Sequence, residues 1–476
     1  MKVLFASAEC APFFKTGGLG DVAGSLPKEL VKQGVELAVV LPYFTKIPET
    51  YQRELKDVCQ FQVAVGWRKQ YCGIKQLEKD GVTYYFIDNR YYFDRDNLYG
   101  YYDDGERFAF FQLALIEMME KIEFIPDVIH SNDYHTAMIP FLLKEKYSWI
   151  RAYREIKTVV TIHNIEFQGH YSADVLGDLF GMGMERYHDG AVGFDNGINF
   201  LKAGIVYADR ITTVSPSYAK EIQTPEFGCR LDGILRMEAN KLSGILNGID
   251  YTLNNPETDE SIPYTYSKED RSGKQKDKLA LQKMMHLPES KDTLLIGVVG
   301  RLTRQKGFDL LVEEAENLLQ QDVQLVILGT GDPAFEHDFA YFANKYPEKC
   351  AVNILFDVSL AQKIYAGSDL FLMPSAFEPC GLSQMISMRY GTIPLVHEVG
   401  GLRDTVLPYN VIDKTGDGFG FQTFTGFYLM ETIKQAIELY QKHPNEWENL
   451  ITRAMSKDFS WSTSSKTYVE LYNSLK

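Results

Sequence analysis

The chain has no clustered run of Lys and Arg: 49 basic residues face 64 acidic ones among 476, a formal charge of −15. Binding along a nucleic-acid backbone needs a concentrated basic surface, so that class is excluded, and an anionic ligand must meet a few local cations. No apolar stretch approaches the ~20 residues of a membrane-spanning helix, so no membrane partner is expected. The opening MKVLFASAEC starts like a secretory signal, but the apolar run is short and Glu9 interrupts it. Six scattered cysteines (10, 59, 72, 229, 350 and 380) lack metal-type spacing and read as buried thiols of a cytoplasmic protein. Two phosphate-loop signatures are missing too. There is no G-x-x-x-x-G-K-[ST], and the first glycine cluster has G-G-x-G where a dinucleotide fold has G-x-G-x-x-G.

What is present is ordinary for a globular protein, with 45% hydrophobic and 24% charged residues. The length exceeds the ~250–300 residues at which one core stops growing, so two domains are expected. Nearly continuous apolar runs alternate with helical segments: KVLFAS, VELAVVLP, DVIHSND, KTVVTIHN and RITTVSPS, then LLIGVVGRL, VQLVILGTG, DLFLMPS and TIPLVHEVGG. Such runs suit parallel strands covered on both faces, and the pattern predicts an α/β chain with doubly wound sheets. The stretch from Asn247 to Ser290, rich in turn residues and charge, reads as the boundary. The domains are therefore expected at 1–246 and 247–456, with a last amphipathic segment over 457–476.

Ligands of open α/β sheets sit beyond the carboxyl ends of the strands, and polar or glycine-rich clusters recur there in both halves. The site is expected in a cleft between two sheets. Lys15-Thr16-Gly17-Gly18-Leu19-Gly20-Asp21 follows the first strand and offers a flexible backbone, free N–H groups and one cation. It serves equally as a plain strand-to-helix turn. GRLTRQKG puts Arg301 and Lys306 at a strand exit, where two cations suit a diphosphate, while Arg304 reads as a solvated turn residue. Glu378, in FEPCGLSQ, stands before a helix start and suits sugar hydroxyls beside an anion. His163 ends a strand, where it is either a substrate contact or a satisfied core histidine. His130, Asp133 and His135 carry no readable metal geometry. Aromatics crowd residues 84–111. Phe86, Phe108 and Phe111 read as core, and Tyr99, Tyr101 and Tyr102 as candidates for a carbohydrate surface.

The motifs KTGGLGDV, TIHNIEFQG, NGID, GRLTRQKG, FEPCGLSQ and GGLRDTV, in this order, resemble those of bacterial glycogen synthases and plant starch synthases. The resemblance spans nearly the whole chain. It implies two Rossmann-like domains in the glycosyltransferase B arrangement, with the final helix crossing back to the first domain. It implies transfer of glucose from ADP-glucose to the non-reducing end of an α-1,4-glucan, with retention and with no cofactor or metal. Carried over by motif, Lys15, Gly17 and Gly18 would close over the donor phosphates. Arg301 and Lys306 would hold the diphosphate, and Glu378 the glucose hydroxyls. Cys380, Gly381, Leu382 and Ser383 would supply backbone contacts to the donor, with Asn247 nearby. His163 would contact the sugar at the reacting carbon, and Asp133 and Tyr99 would face the acceptor.

Retaining glycosidases use carboxylates ~5–5.5 Å apart, and no such pair is readable here, which favours a front-side displacement. The chain departs from the family pattern at NDYH (132–135) where HDWH is usual, and at LFDV (355–358), where Phe356 replaces a tyrosine against the base. It also has Ala376 in place of an arginine and Asn254 in place of a tryptophan. Two alternatives stay open: a related glucosyltransferase using UDP-glucose or another acceptor, and a weakly active glucan-binding subunit.

Overall fold

The computed structural model describes residues 1–476, which divide into two compact units, Met1–Gly248 with Trp461–Lys476, and Ile249–Ser460. The first is built on a nine-stranded sheet. Its strands are β1 (Lys2–Ala6), β2 (Glu36–Pro42), β3 (Lys56–Val65), β4 (Arg68–Lys79), β5 (Val82–Asp88), β6 (Val128–Asn132), β7 (Lys157–Ile162), β11 (Arg210–Thr213) and β12 (Leu242–Gly244). A small antiparallel sheet holds β8 (His170–Ser172), β9 (Gly193–Phe194) and β10 (Gly197–Asn199).

The spatial order of the large sheet is β12-β11-β7-β6-β1-β2-β5-β4-β3. The pairs from β12 to β5 are parallel, and β5-β4-β3 is antiparallel. The buried strands are apolar almost throughout because both faces are covered: Val3, Leu4, Phe5 and Ala6 of β1 have no exposed surface. The long β3–β4 hairpin differs. It alternates buried and exposed residues, as a sheet with one wet face does, and packs one face on the Asp104–Lys121 helix.

The final helix, Trp461–Asn473, lies against the Gly18–Lys32 helix of the first unit. Its Tyr472 hydroxyl meets His130 Nδ1 at 2.6 Å, and Trp461, Tyr468 and Tyr472 are buried. Each such ring contributes ~1.5–3 kcal/mol of burial, enough to tie the end of the chain to β6.

The second unit has a six-stranded parallel sheet of β13 (Leu294–Val299), β14 (Val323–Leu328), β15 (Cys350–Asn353), β16 (Leu370–Met373), β17 (Ile393–His397) and β18 (Phe419–Phe421). Its order, β15-β14-β13-β16-β17-β18, is the 3-2-1-4-5-6 winding of a Rossmann fold. The stretch read as a boundary is not a free linker. Tyr266 and Ile262 are buried in the second unit, and Tyr266 Oη donates to the Tyr390 carbonyl at 2.7 Å. Two well-placed apolar anchors hold that segment without any periodicity for a sequence pattern to show.

Strand order reverses between β1 and β6 in the first unit and between β13 and β16 in the second. A crevice opens at such a switch point because the flanking connections leave toward opposite faces. The chain segments that leave these four strands carry most of the residues singled out from the sequence.

Candidate functional site

At the first switch point, Glu9 leaves β1 as a buried carboxylate. It accepts the Thr16 and Gly17 backbone N–H groups, the Thr16 hydroxyl at 3.0 Å and the Tyr99 hydroxyl at 3.0 Å. Burial holds its pKa above the ordinary carboxylate range, against the pull of those donors. The Lys15–Gly18 segment is exposed, and Lys15 Nζ pairs with Asp21 at 2.6 Å. The four glycines of this region are not equivalent. A Cβ on Gly20 would stand 2.4 Å from Lys15 Cβ, and one on Gly24 would stand 2.6 Å from the Ala11 carbonyl. Gly17 and Gly18 face open space. Packing demands the first pair, so only the second is free to serve a ligand. Gly18 already begins the helix, so the mobile element read from the sequence is shorter than the glycine cluster suggested.

Asp133, at the β6 exit, has φ 57° and ψ −175°, a region that side chains rarely occupy and that costs ~1–3 kcal/mol. The conformation is held by its N–H to the Thr161 carbonyl and by its carboxylate, which accepts the His163 backbone N–H at 2.7 Å. Burial pushes the Asp133 pKa up to about 7, opposed by the N–H groups of His163 and Asn164. His163, at the β7 exit, is buried, and burial takes its imidazole down to about 3, so the ring is neutral. Its Nε2 lies 2.8 Å from Asn132 Oδ1.

His130 and His135 are likewise neutral through burial, each at about 3. They serve the core: His130 bonds Tyr472 and Thr161, and His135 lies between the rings of Tyr99 and Tyr134. The Tyr99 hydroxyl, expected at the acceptor, is instead committed to Glu9, because the ring stacks on His135 at 4.6 Å and turns the phenol inward. Asn247, after β12, is buried with its side-chain oxygen unpartnered.

Tyr134, which follows Asp133 in the chain, lines a cavity of ≈ 580 Å³ together with Phe167, Gly169, Tyr171, Phe194 and Arg230 among others. Gly169 (φ 67°) lets one wall pack closely: a Cβ there would meet the Tyr134 ring at 2.5 Å. Apart from Tyr134 in NDYH and the motif FQG, these residues carry no sequence signal, since Tyr171 and Phe194 come from the short strands β8 and β9 and Arg230 from a later connection.

At the second switch point, Gly307 (φ 76°) packs where a Cβ would stand 1.9 Å from the Pro374 carbonyl. Ala376 N–H donates to the Gln305 carbonyl at 2.8 Å. The two connections are thus zipped together, which brings Lys306 Nζ to both oxygens of Glu378, 2.9 and 2.7 Å away. Ser375 Oγ adds a third donor at 2.9 Å. Glu378 is buried and Lys306 half-buried. Arg301 is exposed and pairs with no acid of the unit, and Arg304 reaches only toward Asp309, 3.7 Å away.

Gly400 and Gly401 also matter, for a reason invisible in the sequence. A Cβ on either would fall within 1.9–2.1 Å of the Glu378 or Cys380 carbonyl, so both glycines let the GGLRDTV turn seat the Glu378–Ser383 segment. Within that segment Cys380 is buried, Gly381 is left-handed (φ 74°), Leu382 is half-buried, and Ser383 Oγ receives the Tyr365 hydroxyl at 2.9 Å. Phe356, beyond β15, is 82% exposed, and Asp357 caps the next helix.

Residues 2–237 match the family described as "Starch synthase catalytic domain", and residues 282–454 match "Glycosyl transferases group 1". The structure is similar to the catalytic domain of starch synthase IV from Arabidopsis thaliana bound to ADP and acarbose. The TM-score is 0.92 at 33% identity, covering 100% of this chain and 99% of that one. A sucrose-phosphate synthase from Thermosynechococcus elongatus shares the fold alone, with a TM-score of 0.62 at 17% identity over 100% of this chain and 98% of that one. Fold and site together define a glycosyltransferase of the two-Rossmann-unit, GT-B class. Within that class, the glycogen synthase of Streptococcus pneumoniae (strain JJA) is 60% identical over 475 residues, 100% of both chains. The chain belongs to the glycogen synthase family of glycosyltransferases.

Proposed function

We propose that the protein elongates an α-1,4-glucan by transferring glucose from ADP-glucose to the non-reducing end, with retention at the anomeric carbon. The observation that carries this reading is the Lys306–Glu378–Ser375 arrangement beside the unpaired Arg301. Arg301 and Lys306 hold the diphosphate, and Glu378 accepts the glucose hydroxyls. Cationic donors aimed at a leaving phosphate stabilise the charge that grows as the glycosidic bond breaks, and one such donor is worth ~10²–10³ in rate. The backbone of Cys380, Gly381, Leu382 and Ser383 lines the sugar, Phe356 packs on the base, and Asn247 meets the donor. Lys15 adds a third cation, with Gly17 and Gly18 giving the backbone room to approach.

Asp133 and His163 serve the sugars, and the neighbouring aromatic cavity cradles the acceptor chain through ring-to-ring contact. The bond from anomeric carbon to phosphate oxygen breaks, and the bond to the acceptor 4-oxygen forms on the same face. The acceptor proton passes to the departing phosphate oxygen, and ADP leaves. No step calls for a metal or cofactor. The six cysteines are all unpaired, in keeping with a reducing cytoplasm.

The test is incorporation of labelled glucose into glycogen, offered as ADP-glucose or UDP-glucose to the purified chain. ADP-glucose is the expected donor. Use of UDP-glucose alone overturns the donor assignment, and glycogen binding without turnover overturns the activity.

A further inference from the structure

We infer that Asn132 is a positioning residue that fixes His163 as its Nε2–H tautomer, so that Nδ1 meets the sugar as a hydrogen-bond acceptor. The inference rests on the reading of His163 as a sugar contact, and it adds the direction of that contact and the residue that sets it.

Asn132 closes β6 and is 1% exposed. Its Nδ2 lies 2.9 Å from the Ala6 carbonyl of β1 and 3.4 Å from the His130 carbonyl. Both neighbours are backbone oxygens, which only accept. Turning the amide over would set Oδ1 against two acceptors in a buried place, so the orientation is fixed by its surroundings. Oδ1 is then the atom 2.8 Å from His163 Nε2. An amide oxygen cannot donate, so Nε2 must carry the hydrogen. The ring is neutral because it is buried. The remaining lone pair is therefore on Nδ1, and the ring's hydrogen bond within the protein is the one through Nε2.

The residue is held from both ends. The Asn132 N–H donates to Thr136 Oγ1 at 2.7 Å, and the His163 N–H to the Asp133 carboxylate at 2.7 Å. Of the titratable groups nearby, His130 has both ring nitrogens engaged elsewhere, Asp133 accepts the His163 backbone N–H, and Glu9 and Tyr218 lie toward Asp133. The consequence is chemical selectivity. Nδ1 accepts a hydrogen bond from a sugar hydroxyl and leaves that oxygen's lone pairs free, while a ligand oxygen that can only accept is repelled.

The test uses the full-length chain with ¹⁵N-labelled histidine and long-range ¹H–¹⁵N correlation, His163 being assigned through His163→Gln. The expected pattern is a protonated Nε2 and an unprotonated Nδ1 near neutral pH. A protonated Nδ1, or an imidazolium, overturns the inference. Kinetics supply the second readout. Asn132→Leu keeps the branching at Cγ but removes the acceptor, and kcat should fall about a hundredfold. Asn132→Asp keeps an acceptor for Nε2–H, and its other oxygen, facing the Ala6 and His130 carbonyls, stays protonated as the donor that the amide was. The same ¹⁵N correlation should therefore show Nε2–H kept in Asn132→Asp and lost in Asn132→Leu, with kcat returning toward wild type in Asn132→Asp. A purely structural role would not produce that tautomer difference, and Nε2–H kept in both variants overturns the positioning role. If the tautomer is as assigned but Asn132→Leu and His163→Ala both keep wild-type kcat, the sugar-contact reading fails instead, and the positioning role fails with it.

Discussion

The two switch-point sites are built on opposite electrostatic plans. In the first unit, apart from the exposed Lys15–Asp21 pair, the polar groups are buried and carry little net charge: His163 is neutral, Asp133 titrates near 7, and Glu9 is raised by burial. In the second unit the groups are ionic, with Lys306 and Glu378 in contact and Arg301 in solvent. The contrast teaches which chemistry each can serve. Neutral, fixed acceptors and strained backbone suit uncharged hydroxyls, where direction matters most. Paired and free cations suit phosphates, where charge matters most.

The sharpest way to break this comparison is to remove the carboxylate of the ionic site. Glu378→Ala should lower kcat by ~10³-fold or more while leaving the melting temperature nearly unchanged, since Lys306 is exposed enough to turn to water. Steady-state kinetics with a thermal melt decide it, and near-normal kcat contradicts the role.

The next effect belongs to the buried site. Asp133→Asn keeps an oxygen for the His163 N–H but cannot ionise. It should cost ~10²-fold in kcat and yet stabilise the fold at alkaline pH. The folded pKa of about 7 lies above the unfolded value of ~3.9. The stability tied to that proton is therefore complete below ~4 and lost as pH rises through 7. The variant's advantage in melting temperature should open from about pH 4 and be complete above about pH 7. A gap independent of pH contradicts the buried charge.

Acid should separate the units. His130, His135 and His163 of the first unit are each depressed to about 3, and in the second only His397 is lowered, by burial. Stability from groups depressed in this way is full above ~6.5 and lost as pH falls toward the folded value. Hydrogen exchange on the whole chain at about pH 5 should show protection falling first around β6 and β7, and equal loss in both units contradicts this. The smallest effect is at Phe356: on the proposed packing against the base, Phe356→Ala forfeits ~0.5–1.5 kcal/mol of stacking, so the donor KM should rise about two- to tenfold at constant kcat.

How much of this was legible in the sequence depended on where the cause lies. The runs around β1, β2, β6, β7, β11, β13, β14, β16 and β17 were readable because burial on both faces leaves an unbroken apolar string. The antiparallel β3–β5 extension was not read. Its alternation is diluted by half-exposed residues such as Cys59 and Phe61, although Asp80-Gly81, a favoured hairpin pair, marks the β4–β5 turn.

At the sites, Lys306 and Glu378 stood out because charge at an apolar strand exit is conspicuous. Glu9 showed as a polar residue at a strand exit that interrupts an apolar run, but its role did not, since its partners Thr16, Gly17 and Tyr99 come from other segments. Asn132 showed only as a departure from a motif, because its meaning depends on two carbonyls brought beside it by sheet order. The inward turn of Tyr99 was equally hidden: a tyrosine in a polar stretch looks exposed until the stacking on His135 is seen.

The division of labour between a charged donor site and a neutral sugar site is tested most directly by calorimetric titration of ADP into the full-length protein, Arg301→Ala and Asp133→Asn. Loss of one charge-assisted contact of ~1.5–3 kcal/mol predicts about tenfold to a hundredfold weaker ADP binding for Arg301→Ala, with Asp133→Asn unchanged. Undiminished ADP binding by Arg301→Ala, with weakened binding by Asp133→Asn, would contradict it.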